Sequence, residues 1–212
     1  MKDTEALIQR LSREPRGVRP LPAPERFMAE LLLICLMCGL LWQSCLGWRP
    51  DLLSAWAHSG LKAELISLFA LLLSSLMAGV LSMYPDGHQW PRMTPWPYVL
   101  GGAWLSFSAL SGDAAWSWSD ALDLQGLRCS AILAAVSFIP SAWMMRRLGQ
   151  GAVVQPGQAG AWASLTGLAL GGLVVRLHES NDATAHVMIW HDLPALLLAM
   201  AGAWLGRHLL KK

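Results

Sequence analysis

The residues best equipped for chemistry gather in one short stretch. Arg176-Leu-His178-Glu179-Ser-Asn-Asp182 is followed by His186, then by Trp190-His191-Asp192. Three imidazoles and three carboxylates supply enough donors for a divalent cation. Asp182 and His186 are four apart, so one helical turn would bring them to the same face. The spacing matches no strong metal motif. Two readings therefore stand side by side: a divalent-metal site, or a hydrogen-bonded cap that closes the ends of two helices. The cysteines divide in a similar way. Cys35 and Cys38 form a Cys-x-x-Cys inside an uncharged apolar run. That run lacks the basic surroundings that activate a thiol, so they read as small apolar side chains. Cys45 and Cys129 fall near the ends of two apolar runs, and in an oxidising compartment they can pair if those runs are neighbours. Gly-x-Ser-x-Gly, His-Glu-x-x-His and a phosphate loop are all missing from the sequence, which argues for a protein that is not an enzyme and needs no cofactor beyond a possible divalent metal.

The elements that must position these residues follow from where charge is missing. Of 212 residues, 14% are charged and 54% are hydrophobic; an ordinary globular chain has about 25% charged. Uncharged stretches run over 31–48, 65–85, 93–112, 129–145, 148–175 and 193–206. A helix crossing the hydrocarbon core needs about 20 mostly apolar residues, and within lipid only a helix or a closed barrel satisfies its own backbone. The expectation is an all-α polytopic membrane protein with six transmembrane helices, near 27–47, 62–83, 97–111, 127–145, 159–177 and 187–206. With an even number of spans both termini share a side. That side carries twelve Lys and Arg and the other carries four, which puts both termini in the cytoplasm. Trp42, Trp48, Trp96, Trp116, Trp118 and Trp204 fall at span ends, as expected of an interfacial belt. Gly167-x-x-x-Gly171 and Gly202-x-x-x-Gly206 suit close helix packing. Pro140 and Pro194 should bend spans four and six. Ionisable groups within spans lie near their ends, which argues against a transporter or channel subunit. A net charge of +2 gives no footprint for nucleic acid.

Three parts result: a cytoplasmic tail, 1–26; a six-helix bundle, 27–206; and a short cytoplasmic end, 207–212. The tail is too long and too mixed in charge for a signal-peptide leader. Leu7, Ile8 and Leu11 form an apolar stripe at helical spacing after a possible cap at Asp3 or Thr4. A Pro-rich basic tether, 16–24, follows it. A helix of about ten residues is not stable alone. It can lie on membrane lipid or dock into a groove on a protein partner.

In order and spacing the chain resembles the NrsF-like family of six-span membrane anti-sigma factors, which hold an extracytoplasmic-function (ECF) sigma factor inactive. The resemblance rests on Leu7-Ile8-x-x-Leu11, Pro15-x-x-Val18-Arg19-x-Leu21-Pro22, Arg49-Pro50-Asp51-Leu52, Gly126-Leu127-Arg128, Pro140, Arg146-Arg147, the small-residue run 160–172, His178-Glu179, Trp190-His191 and Gly202-x-x-x-Gly206-Arg207. It implies an inner-membrane regulator of transcription whose tail sequesters a sigma factor and releases it on an envelope stress signal. It does not specify an oligomeric state. Leu7, Ile8, Leu11, Val18, Arg19 and Leu21 would make the sigma contact. In relatives two outer-face cysteines are implicated in sensing metal or oxidative stress; here those positions hold Gly126 and Glu179. Sensing would then use the cluster of His178, Glu179, Asp182, His186 and His191. Alternatively it would use Cys129, one turn beyond Gly126, with Cys45 as its candidate partner. A third route is a signal delivered by another protein. A small transporter subunit or an accessory scaffold of a membrane complex are the rival readings.

Overall fold

The structure is a computed structural model. It describes residues 4–5, 9, 21–57, 59–84, 95–111, 118–121 and 123–211. Within them the chain is helical and forms no strand. The helices are α1 (Pro24–Leu46), α2 (Leu52–Ala57), α3 (Ser59–Leu81), α4 (Trp96–Ser111), α5 (Trp118–Ala121), α6 (Gln125–Leu148), α7 (Pro156–His178), α8 (Thr184–Val187) and α9 (Leu193–Leu209). A π-helical turn, Met188–Asp192, joins α8 to α9.

Each of the six segments expected from the charge gaps coincides with a long helix or, for the last, with the run from α8 through α9. Five are long and apolar enough to cross a membrane: Pro24–Leu46, Gly60–Leu81, Gln125–Leu148, Pro156–His178 and Thr184–Leu209. The expected third span, α4, has 16 residues, roughly 24 Å at the helical rise of 1.5 Å per residue.

Local chemistry sets the helix boundaries. Proline opens α1 and α7, where its missing N–H costs nothing. Asp123 Oδ1 accepts the Gln125 N–H at 3.0 Å at the start of α6. Gly47, at φ 81°, ends α1 in a conformation that side chains other than glycine rarely adopt.

Helix α7 is the central element, packed against α3, α6 and α9, with α4 beyond α3. Buried residues fill 78% of its most apolar 18-residue stretch, against 17% for that of α1. Its small residues allow this. A Cβ on Gly160 would collide with the backbone of Gly202 and Gly206, and one on Gly167 or Gly171 with backbone carbonyls of Ser137 and Leu133. Glycine here lets backbones touch, so α6 and α9 close onto α7 from two sides. Thr166 Oγ1, 3.1 Å from Ser75 Oγ, links α7 to α3. The outward surface is apolar: Leu33, Leu36, Leu41, Ile66, Phe69, Phe138, Leu197 and Met200 are all exposed. Exposure on that scale suits lipid and not water. Of the expected belt tryptophans, Trp48, Trp96, Trp118 and Trp204 are exposed near helix ends, Trp42 is half-buried, and Trp116 lies outside the described residues.

Candidate functional site

The stretch after α7 is where the sequence concentrates its polar groups, and the fold splits them into two adjoining assemblies. The first is a strap of ion pairs. Arg176, on the last turn of α7, donates from Nε to Glu64 Oε2 of α3 at 3.0 Å, and its Nη2 lies 2.8 Å from Asp182 Oδ1. Asp182 also accepts from Arg49, at 2.8 and 3.2 Å. Arg49 completes a fork onto Asp51, at 2.9 and 2.8 Å. The Arg49 N–H donates to the Leu177 carbonyl at 2.9 Å. The α1–α2 loop is thereby tied to the end of α7, and α7 to α3.

The Arg49 side chain is wholly buried, while Asp51 and Asp182 keep 43% of their side chains exposed. The Asp51 hydrogen bond, opposed by burial and aided by Asp182, holds the Arg49 guanidinium above its already high range. Its fork holds the Asp51 carboxyl below the usual range. Burial would raise the Asp182 carboxyl, but the two arginines outweigh it and the net direction is down.

The second assembly is a buried thiol–imidazole pocket. Cys129 on α6, His186 on α8 and His191 on the π-turn offer donor atoms that all lie within 4.8 Å of one another. The imidazole rings meet edge to face, centroids 5.4 Å apart. Pro194 accounts for this juxtaposition. It has no N–H and cannot pair with the carbonyl four residues back, which belongs to Trp190. Ser130 Oγ donates to that carbonyl at 2.6 Å instead, and the helix before Pro194 widens into the π-turn. In a regular α-helix two residues five apart point about 140° from each other. A π-turn, bonded i to i+5, brings them onto one face. The Trp190 ring covers Gly126, where no Cβ would fit.

Glu179 connects the two assemblies. Its Oε2 accepts from the Cys129 thiol at 3.4 Å. Its Oε1 accepts the N–H groups of Ser180 and Asn181, each at 3.1 Å. Burial pushes its carboxyl up, but the Asn181 N–H, then the thiol and the nearby His186, outweigh it and hold it below the ordinary carboxylate range.

The single sensing cluster expected from sequence is thus divided. Glu179, His186, His191 and Cys129 come together. Asp182 belongs to the strap. His178 sits apart, with Nδ1 3.2 Å from the Gly47 carbonyl, an acceptor for an Nδ1–H. Asp192 turns the other way and accepts from Ser108 Oγ of α4 at 2.6 Å. Cys45 is exposed and Cys129 buried, and both are free thiols. Sequence reasoning missed Arg49, Asp51 and Glu64 as site residues. The Arg49-Pro50-Asp51 motif was the visible signal for the first two.

At the opposite end of the bundle, Phe27, Leu31, Met83, Met144 and Leu148 form a buried cluster, against which Leu21 packs half-buried. The Tyr84 hydroxyl donates to the Pro22 carbonyl. Burial first, then the charge of Glu25, raises that hydroxyl's pKa. Arg147 pairs with Glu30 at 2.6 Å beside it. Of the expected sigma contacts, Leu21 is thus anchored to the bundle. Leu7, Ile8, Leu11, Val18 and Arg19 lie outside the described residues.

Comparison with known proteins adds one match. The family model described as NrsF, negative regulator of sigma F, matches residues 11–211. No curated protein and no solved structure matches the chain.

Proposed function

Because the chain belongs to the NrsF family, negative regulators of sigma F, we propose that it is an inner-membrane anti-sigma factor that sequesters an ECF sigma factor through its first 20 residues. The match over nearly the whole length carries this reading. Five helices able to cross a membrane and a lipid-suited surface support the membrane location. In this reading α4 is also a span, the third of six, its 16 residues met by local thinning of the bilayer. Both termini then face the cytoplasm, on the side rich in Lys and Arg.

Leu7, Ile8 and Leu11 would enter an apolar groove on the sigma factor, with Val18 and Arg19 beside it. Leu21 marks where the tail leaves the bundle, since it and Pro22 are held by the inner cluster and by Tyr84. The outer assemblies would receive an envelope signal, and a shift of α7 against its neighbours would reach the inner end. Transport draws no support from the buried charges. Among the described residues, Glu64, Arg176 and Asp192 sit at one end of the bundle, and each has a partner there.

Deleting residues 1–20 tests the reading while leaving the Leu21 and Pro22 anchors in place. A promoter dependent on the target sigma factor should be released from repression, with the truncated chain still in the membrane fraction. Repression that persists without the tail would overturn it.

A further inference from the structure

We propose that Cys129, His186 and His191 form a transition-metal site for a zinc-type divalent ion, buried where α6 meets the π-turn. Four observations converge. The three donor atoms lie within 4.8 Å of one another. All three residues are buried, His191 to 2% exposure. Neither ring nitrogen of His191 has a hydrogen-bond partner among the described residues, although a buried imidazole without one is costly. The local backbone departs from an α-helix in the manner that brings residues 186 and 191 to one face.

The donor set selects the ion. One sulfur and two imidazoles form a borderline-soft set, suited to zinc and its neighbours in the first transition row and not to magnesium or calcium. Around a tetrahedral zinc, with bonds of about 2.0–2.3 Å, donor atoms stand roughly 3.3–3.8 Å apart. Side-chain rotations that draw these donors in by about an ångström close the site. Three protein ligands leave a fourth position. Glu179 Oε2, 3.4 Å from the Cys129 sulfur, is the oxygen next to it. Its other oxygen is fixed by two backbone N–H groups, so the carboxylate is already aimed. Binding replaces the S–H bond by a sulfur–metal bond and releases one proton to solvent. The ion itself undergoes no redox change.

The site is separate from the ion-pair strap, and its existence does not depend on the sigma-factor reading. Metal binding is measured on the chain alone, so either reading can fail without the other.

The test uses the full chain purified in detergent, stripped with a chelator and titrated with Zn2+ or with Co2+ as a spectroscopic probe. The expected result is one ion per chain. The cobalt form should show a thiolate-to-metal charge-transfer band in the near ultraviolet and intense visible bands of tetrahedral type. Cys129→Ser should abolish the charge-transfer band. His191→Ala should abolish the tetrahedral pattern. Glu179→Gln should weaken zinc binding by about 10-fold, as loss of a neighbouring carboxylate does. Cys45→Ser and His178→Ala should leave the spectrum and the affinity unchanged. X-ray absorption on the zinc-loaded natural chain needs no variant, and should show one sulfur in the first shell with imidazole scattering beyond. A metal shell without sulfur, a charge-transfer band that survives Cys129→Ser, or no stoichiometric binding would overturn the proposal.

Discussion

The two ends of α7 are built from different materials. At its C-terminal end Arg176 is held by carboxylates, Glu64 on one side and Asp182 on the other, and the thiol–imidazole pocket adjoins them. At its N-terminal end Gly160 lies against Gly206 with no side chain between, and the cluster around Phe27 and Met144 is apolar. Apolar and backbone packing is indifferent to protons and ions. Charge pairs and imidazoles are not. Under the proposed function, the difference teaches where a chemical signal would enter this molecule: at the end of the central helix whose opposite end packs into the cluster that holds Leu21.

Changes at both ends would break or sharpen that comparison. The largest effect should come from Arg176→Met, which leaves Glu64 buried without its partner. About 3–5 kcal/mol of stability should be lost, measured by denaturant unfolding in detergent. Combining it with Glu64→Gln should restore most of the loss. A neutral single variant would mean that the C-terminal end of α7 is not held by charge. Next is Gly160→Val, which drives a side chain into the α9 backbone; about 1–3 kcal/mol should be lost in the same assay. Gly102→Ala, where a Cβ meets nothing within 4 Å, should be neutral or slightly stabilising.

Arg147→Gln breaks the pair with Glu30 at the opposite end. Both side chains are more than a quarter exposed, so less than about 1 kcal/mol should be lost. The smallest effect near neutral pH should be that of acid. The Asp51 and Asp182 carboxyls are held below their ordinary value of 3.8. Their contribution is complete above that value and fades as pH falls through the lowered one. Unfolding midpoints should stay level from about pH 8 to 5 and drop below pH 3.8, and Asp182→Asn should flatten that drop.

The helices were legible because lipid solvation is written in composition. A run without Asp, Glu, Lys or Arg marks a span almost whatever its packing, and the long helices start and stop within a few residues of the expected limits. The close packing of α7 was also visible, in the glycines of 160–172, but its place at the centre of the bundle was not, because small residues say that helices approach and not which ones. The site was legible only as a neighbourhood. Sequence distance grouped Asp182 with His186, four residues on, yet Asp182 turns to Arg49, 133 residues away. The pairing of His186 with His191 was hidden because an α-helical reading puts them on different faces. Pro194 held the clue, since the hydrogen bond it removes makes room for the π-turn. Glu64 was visible as a charge near a span end, but nothing local says that it faces Arg176.

The central claim is that this membrane bundle holds a sigma factor through its tail. Its most direct test is to extract the full-length chain from its own cells with mild detergent, purify it, and identify by mass spectrometry what comes with it. The account predicts a sigma factor in stoichiometric amount, lost when residues 1–20 are removed. A chain that purifies without any sigma factor, or that retains one equally well without those residues, would contradict it.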